Sequence, residues 1–374
     1  MPNGPCVSVM SKLEKRNLYK IFGPNPQQAL ELLNQGVPKD EIFNQTGHAV
    51  GLDDVSFNVE DGEILVVMGL SGSGKSTLIR CINRLIEPTS GEIRIDGQEV
   101  INLKPKELLE FRRDKFGMVF QNFALLPHRT IQANVAYGLE IQNKPPAVCR
   151  HKAIEALKLV GLDGWEDAYP EQLSGGMQQR VGLARALAID PEILLMDEAF
   201  SALDPLIRRD MQHELVSLQE RMQKTILFIS HDLDEAIKIG DRIVLMKDGA
   251  VVQVGTPEEI LTEPATPYVE RFVEDVDVAK VLTAASVLAK ARVVGYPADG
   301  PRTALHKMRD ENYSSLLVVE RDYRLRGMVT VDDVEQALLR EHSSLDDVLQ
   351  SEIPAVTPDT PLTELFGLLS DFPW

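Results

Sequence analysis

The sequence has 374 residues, a formal net charge of −18 and a hydrophobic content of 44%, which is typical of a globular chain with two or three domains. The negative charge opposes non-specific binding to nucleic acid or to an anionic membrane surface. No apolar run approaches the roughly 18 residues of a membrane-spanning helix, no signal peptide is visible, and three widely spaced cysteines are expected to be reduced thiols in the cytosol.

The N-terminal region is predicted to contain a strand interrupted by a helical insertion. Residues 1–11 are expected to be a disordered leader, and residues 12–23 are predicted to form a strand and a turn. Residues 26–47 then show the pattern of two short helices, and we call this segment the insertion. A half-buried strand is predicted at Val55–Val59, where apolar residues alternate with polar ones.

Strand and helix signals alternate from Ile64 to about Val254, which predicts an α/β core. The apolar segments Ile193–Met196 and Thr225–Ile229 are predicted to be buried central strands. We therefore assign residues 12–276 to one α/β domain.

A smaller α/β region is predicted over residues 277–374. Its pattern indicates a helix, two strands and a second helix, in the order Thr303–Glu311, Ser315–Val319, Gly327–Val331 and Asp332 to about Arg340. A partial copy of this pattern begins at Ala355 and stops at Trp374, so we expect an incomplete second repeat.

A phosphate-binding loop is predicted at Gly69–Ser76. The segment fits Gly-x-x-x-x-Gly-Lys-[Ser/Thr], follows an apolar strand, and precedes a predicted helix at Thr77–Leu85. Glycines allow successive backbone N–H groups to surround phosphate oxygens, and the helix N-terminus adds its positive end. Lys75 would supply a positive charge and Ser76 a hydroxyl ligand for Mg²⁺.

Polar residues with matching chemistry follow three other predicted strands. Asp197 ends an apolar strand, where a carboxylate is costly unless it meets a cation, so we expect it to lie in the Mg²⁺ shell. Glu198 is predicted to accept a proton from an attacking water. His231 and Gln121 come at the ends of two more strands, and we predict that His231 is catalytic and that Gln121 reaches the Mg²⁺ or the water.

The segment Phe123–His128 is unusually apolar for a loop. An exposed apolar loop is a candidate docking surface, while a loop buried in its own domain is the alternative reading.

Together these residues resemble the ATP-binding-cassette (ABC) ATPases. Leu173–Gln179 is similar to the signature motif of that family, Ser201–Asp204 to its D-loop, and His231 to its switch histidine. The resemblance implies a P-loop α/β domain with a helical signature subdomain, ATP and Mg²⁺ as cofactors, and a head-to-tail dimer with a second copy of the chain. The signature turn of one copy would then contact the ATP held by the other copy.

The resemblance also implies the site residues. Phe22 has the place of the aromatic residue that stacks on adenine, with Tyr19 as the alternative. The expected ATP site consists of Phe22, Gly69, Leu70, Ser71, Gly72, Ser73, Gly74, Lys75, Ser76, Thr77, Ser174, Gly175, Gly176, Gln178 and Asp204. The expected Mg²⁺ ligands are Ser76, Gln121 and Asp197, and the expected catalytic residues are Glu198, His231 and Gln121.

The insertion and the segment Met196–Arg208 resemble the ATPase subunits of glycine betaine/proline importers, and the region after residue 277 resembles their cystathionine-β-synthase-type (CBS) repeats. This likeness implies a transmembrane permease partner, an indirect extracytoplasmic substrate-binding protein, and a place on the cytoplasmic face of the inner membrane. Two alternatives remain open: an importer ATPase for choline, carnitine or an amino acid, and a non-transport ABC protein that acts on ribosomes or DNA. The charge of −18 opposes nucleic acid as a partner.

Overall fold

A computed structural model of the chain describes residues 11–121, 123–274, 276–289, 291–340, 342 and 344–371. The predicted leader lies outside the described residues except for Ser11, which begins the first strand. The chain divides into two compact units, of which the first ends at Val276 and the second begins at Asp277. Across the described part of the chain, no helix is long and apolar enough to cross a membrane.

The first unit contains two sheets and the helices that connect them. Its strands are β1 (Ser11–Phe22), β2 (Ala49–Glu60), β3 (Ile64–Met68), β4 (Ser90–Ile95), β5 (Gln98–Glu99), β6 (Phe116–Phe120), β7 (Ile193–Asp197), β8 (Thr225–Ile229), β9 (Arg242–Lys247) and β10 (Ala250–Gly255). Its helices are α1 (Pro26–Asn34), α2 (Lys39–Thr46), α3 (Lys75–Ile82), α4 (Pro105–Lys115), α5 (Ile131–Ile141), α6 (Pro146–Leu159), α7 (Gly175–Ala188), α8 (Pro205–Met222), α9 (Leu233–Ile239), α10 (Pro257–Thr262) and α11 (Pro267–Val273).

The larger sheet has the strand order β10-β9-β3-β8-β7-β6, and only its β9–β10 pair is antiparallel. Strands β3 and β8 are buried along their whole length, and β7 lies between β8 and β6, so the prediction of buried central strands is confirmed. Parallel strands present their carboxyl ends at one edge of a sheet. The loops that follow β3, β6, β7 and β8 therefore meet at that edge.

The smaller sheet is antiparallel, with the order β2-β1-β4-β5. Apolar side chains from both sheets and from α3 form the main core. One core position of β1 carries a lysine: Lys15 is 2% exposed, and its Nζ lies 3.0 Å from the centroid of the Phe57 ring without a hydrogen-bond partner. The smaller sheet thus places a lysine amine inside an apolar layer.

The insertion packs on the smaller sheet. Ala29 of α1 and Ile42 of α2 are fully buried in a small cluster with residues of β1 and β2. Lys39 forms an ion pair with Asp53 Oδ2 at 2.9 Å and donates a hydrogen bond to the carbonyl of Asp248. These contacts fix two helices that are too short to be stable alone in water.

Helices α5, α6 and α7 pack against one another as a helical subdomain, and α7 also packs on β6. Helix α7 begins at Gly175, directly after Ser174 of the signature motif.

The second unit contains β11 (Val293–Gly295), α12 (Pro301–Glu311), β12 (Ser315–Val319), β13 (Leu325–Thr330), α13 (Val331–Leu339) and α14 (Leu362–Asp371). Its sheet has the order β11-β12-β13, in which β11 and β12 are parallel and β12 and β13 antiparallel. Apolar residues of the sheet, α12 and α13 form a separate core. The predicted helices and strands of this region are confirmed, with bounds that differ by at most two residues.

Candidate active site

The loop between β3 and α3 has the backbone of a phosphate-binding loop. Gly69, Gly72 and Gly74 have φ angles of 147°, 82° and 97°, in the region that favours glycine. A Cβ on Gly74 would lie 2.6 Å from the carbonyl oxygen of Gly51. The helix begins at Lys75, two residues before the predicted start, so its free N–H groups point toward the loop.

Lys75 lies across this loop. Its side chain is largely buried, and Nζ donates hydrogen bonds to the carbonyl oxygens of Gly69 at 2.7 Å and Leu70 at 3.0 Å. Burial lowers the pKa of Lys75, and the nearby Glu198 and Asp197 carboxylates oppose this shift. The loop therefore holds a positive charge where phosphate oxygens would lie.

Ser76 and Asp197 form the candidate metal position. Ser76 Oγ donates to Asp197 Oδ1 at 3.1 Å, and Arg80 Nη2 lies 4.0 Å from Asp197 Oδ2. Burial raises the pKa of Asp197, whereas the Ser76 hydrogen bond and the Arg80 charge lower it. A hydroxyl and a carboxylate in direct contact fit Mg²⁺, which prefers oxygen ligands.

Glu198 brings the remaining loops together. Its φ of 47° turns the chain out of the line of β7, and its Oε2 lies 3.4 Å from His231 Nδ1 and 3.5 Å from Gln121 Nε2. Gln121 Nε2 also donates to Ser201 Oγ at 3.1 Å, and Ser201 Oγ donates to the carbonyl of Glu198 at 2.9 Å. The ends of β6, β7 and β8 thus contribute one polar cluster beside the phosphate loop.

A cavity of about 240 Å³ lies at this cluster. Its lining residues are Gly51, Ser71, Gly72, Gly74, Lys75, Ser76, Thr77 and Glu198. Gly51 was not among the predicted site residues, although a glycine inside a strand pattern is a known signal of close approach. A larger groove, of about 590 Å³, lies between α5 and α6 and is lined by none of the predicted site residues.

Phe22 lies next to this cavity. It ends β1, is 40% exposed, and its ring packs over Gly51, where a Cβ would lie 2.7 Å from Cε2. Lys20 Nζ lies 4.9 Å from the ring centroid. The alternative residue, Tyr19, lies on the same strand, and neither Phe22 nor Tyr19 is among the residues that line the cavity.

The signature segment lies elsewhere in the unit. Ser174 precedes α7, and its Oγ accepts a hydrogen bond from the backbone N–H of Met177 at 3.4 Å. Ser174 and Gly175 are exposed, and none of the residues from Ser174 to Gly176 lines the cavity beside Lys75. Gln178 Nε2 donates to the carbonyls of Pro170 at 3.0 Å and Leu173 at 3.1 Å, so this amide shapes the loop before α7.

Asp204 precedes α8 at the end of the predicted D-loop. The backbone of this segment is fixed by Arg208, whose guanidinium donates to the carbonyls of Phe200, Ser201 and Leu203 at 3.1 to 3.3 Å. The D-loop is therefore attached to the first turn of α8.

The apolar loop Phe123–His128 is anchored through its backbone. Arg185 donates to the carbonyls of Phe123 and Ala124, and the buried Asn134 side chain bonds the N–H and the carbonyl of Leu126. The side chains of this loop range from half-buried to exposed. The loop is thus ordered by the helical subdomain, and it keeps apolar side chains partly accessible.

Comparison with known proteins identifies this constellation. Residues 52–201 match the ABC transporter family profile, and residues 293–340 match the CBS domain profile. The chain is 55% identical over 361 residues to the glycine betaine/carnitine transport ATP-binding protein GbuA of Listeria monocytogenes serotype 1/2a (strain 10403S), covering 96% of this chain and 91% of GbuA. The chain belongs to the ABC transporter ATPases. The predicted fold class and the predicted ATPase activity are confirmed.

Two other relatives of this ABC ATPase are also named as transport ATP-binding proteins. The glycine betaine transport ATP-binding protein OpuAA of Bacillus subtilis (strain 168) is 55% identical, with coverage of 96% of this chain and 86% of that protein. The glycine betaine/proline betaine transport system ATP-binding protein ProV of Escherichia coli (strain K12) is 50% identical, with coverage of 97% and 91%. A dimeric structure of the ATP-binding cassette MJ0796 bound to ADP and Pi has a TM-score of 0.55 and 34% identity, covering 66% of this chain and 98% of that one.

Proposed function

We propose that this ATPase subunit powers the import of glycine betaine, proline or a related quaternary-ammonium osmoprotectant through a separate permease. The observation that carries the proposal is the similarity to betaine transport proteins over almost the whole chain, at 55% identity over 96% of its length. These relatives are transport proteins, which favours transport over an action on ribosomes or DNA.

The residues of the site would have separate roles in ATP hydrolysis. Backbone N–H groups of Gly69–Ser76 would surround the phosphates, with Lys75 as their positive charge. Ser76, Asp197 and the amide oxygen of Gln121 would hold Mg²⁺, which neutralises phosphate charge when bound. Phe22 at the end of β1 would stack on the adenine.

Glu198 is proposed as the acceptor of the proton from the attacking water. Its carboxylate lines the cavity and touches His231, which would orient it toward the γ-phosphate. Water attack on the γ-phosphorus then forms one P–O bond and breaks the bond to ADP, while the proton passes to Glu198.

A second copy of the chain is proposed to complete each site. Ser174, Gly175, Gly176 and Gln178 belong to a helix N-terminus, where free N–H groups favour anions, and none of them lines the cavity around Lys75 of its own chain. In a head-to-tail dimer this turn and Asp204 of the D-loop would face the ATP of the other copy. The dimeric ATP-binding cassette with a similar fold supports this arrangement.

The remaining partners are proposed from the family. The subunit would act at the cytoplasmic face of the inner membrane, bound to a transmembrane permease that receives solute from an extracytoplasmic substrate-binding protein. The loop Phe123–His128 begins two residues after Gln121 and is proposed as a contact with the permease. The unit from Asp277 onward is proposed as a CBS-type regulatory region.

Solute uptake tests the proposal. The chain, its permease and its binding protein would be expressed together in a bacterial strain that lacks betaine uptake, and the uptake of labelled glycine betaine would be measured against unlabelled proline, carnitine, choline and trimethylamine N-oxide. We expect uptake of glycine betaine that the Glu198→Gln variant abolishes. Uptake of none of these solutes would contradict the proposal.

A second solute class is favoured by one observation. A trimethylamine N-oxide transport system ATP-binding protein of Ruegeria pomeroyi (strain ATCC 700808 / DSM 15171 / DSS-3) is 54% identical, although over only 76% of this chain. Preferential uptake of trimethylamine N-oxide in the same assay would support this alternative.

A further inference from the structure

Three buried polar side chains lie behind His231 and have no role in the proposed chemistry. Glu235 of α9, Gln212 of α8 and Ser230 are 6%, 4% and 1% exposed. The carboxylate of Glu235 accepts hydrogen bonds from Gln212 Nε2 at 3.0 Å and from Ser230 Oγ. Ser230 directly precedes His231, so the buried carboxylate fixes the residue just before the histidine.

The same group of contacts fixes the residue after His231. Ser230 Oγ accepts from the backbone N–H of Asp232 at 3.0 Å, and the Asp232 side chain accepts from the N–H of Glu235 at 3.2 Å. The N–H of Ser230 donates to the carbonyl of Val67 in β3 at 3.2 Å. His231 is therefore flanked on both sides by residues with fixed backbone positions, while its own side chain is 58% exposed.

These buried polar residues also connect the segment that carries His231 to the D-loop. Gln212 and Arg208 lie one turn apart on α8, and Arg208 Nη1 is 3.7 Å from Asp232 Oδ2. The same guanidinium donates to the carbonyl of Phe200 and to the D-loop carbonyls of Ser201 and Leu203. Helix α8 thus contacts the loop of His231 and the loop that would face the second copy.

A buried acid requires a physical reason. Burial raises the pKa of Glu235, and the hydrogen bonds from Ser230 and Gln212 oppose that shift. An apolar residue would avoid the cost of burying a carboxylate, so its value must come from the groups that it orders.

We propose that Glu235 is a positioning residue for ATP hydrolysis, which acts through Ser230 and Gln212 to hold His231 against Glu198. The inference rests on the proposed role of His231. Misplacement of a catalytic group by about 1 Å can cost on the order of 100-fold in rate. Loss of the carboxylate should therefore lower kcat, while the phosphate loop and hence the KM for ATP should be unaffected.

The test compares steady-state ATP hydrolysis by full-length variants. We expect Glu235→Ala and Ser230→Ala to lower kcat by about 10-fold to 100-fold with an unchanged KM. Glu235→Gln should recover most of kcat, because the Gln212 amide can turn to pair with the new amide. If Glu235→Ala fails to fold, Ser230→Ala carries the same prediction with a smaller change in volume.

Glu63 provides the matched control. It is another buried carboxylate, 7% exposed, paired with Arg242 and bonded to the N–H of Glu60, but it precedes β3 at the opposite edge of the sheet. Glu63→Ala should lower thermal stability without lowering kcat. Equal losses of kcat in Glu63→Ala and Glu235→Ala would show a general structural effect and overturn the proposal.

A double-variant comparison tests whether Glu235 affects kcat through His231. In a His231→Ala background, Glu235→Ala should cause no further loss of kcat, because the group that it positions is absent. A full additional loss in that background would overturn the proposal. If His231→Ala alone leaves kcat unchanged, the proposed role of His231 is wrong, and the positioning inference falls with it for a distinguishable reason.

Discussion

Lys15 should destabilise the first unit, so Lys15→Met should stabilise it at neutral pH. The amine is buried without a hydrogen-bond partner, and burial lowers its pKa well below the ordinary value of 10.5. A buried amine without a hydrogen-bond partner destabilises the fold, and the Phe57 ring offsets at most about 2 kcal/mol of the cost of the charged form. Replacing a buried charged group by an apolar one of similar volume is often stabilising by about 1–4 kcal/mol, and we expect a gain of about that size in the free energy of unfolding.

The effect of Lys15 on the free energy of unfolding should also depend on pH. With a lowered pKa, the folded chain binds fewer protons at Lys15 than the unfolded chain, so this group adds stability as the pH rises toward 10.5. The advantage of Lys15→Met should therefore shrink between pH 7 and pH 10, by at most about 1.4 kcal/mol per pH unit.

Urea unfolding followed by Trp165 fluorescence measures this difference in the first unit, in a Trp374→Phe background that leaves one of the two tryptophans. Arg16→Met, on the same strand with a side chain 64% exposed, is the matched control and should change stability by no more than about 0.5 kcal/mol. A Lys15→Met protein that is less stable than wild type, or a difference that does not vary with pH, would refute the reasoning.

Three further predictions test the proposed function. Glu198→Gln should bind ATP and lower kcat for phosphate release by about 10²-fold to 10⁴-fold, and near-normal hydrolysis would remove Glu198 from its role. Gly175→Asp should leave ATP binding intact but abolish ATP-driven dimerisation in size-exclusion chromatography, because a carboxylate would face the γ-phosphate of the other copy; a persistent dimer would contradict the composite site. Replacing Leu125 and Leu126 by Ser should weaken co-purification with the permease while ATP hydrolysis stays nearly unchanged; loss of folding would favour a buried loop.

The proposed phosphate site could be recognised in the sequence because its parts are local. The loop Gly69–Ser76 carries its glycines, lysine and hydroxyl in one segment, and Asp197 follows a strand that is recognisable by its apolar residues. Parallel strands then bring the separate ends together without further information. The polar cluster of Gln121, Glu198 and His231 follows from this rule.

Features that depend on contacts between distant segments were not predictable. Gly51 lies in a half-buried strand, and its role becomes visible only when the Phe22 ring and the phosphate loop approach it. Alternation along β1 puts position 15 on the same face as the buried Leu13, but a lysine at that position would be expected to reach solvent, so its burial was not predictable from the residue type. The local sequence shows Glu235 only as a residue of a helix. It does not show that Gln212 of α8 approaches the carboxylate.

The strand order of the larger sheet has a consequence during synthesis. Strand β3 pairs with β8 and β9, which follow it much later in the chain, after the helical subdomain. At about 5–20 residues per second, the ribosome needs on the order of ten seconds or more to extend the chain from Met68 to Thr225. During that time the apolar segment Ile64–Met68 has neither neighbour, so an apolar segment of the nascent chain stays unpaired until β8 and β9 have been made.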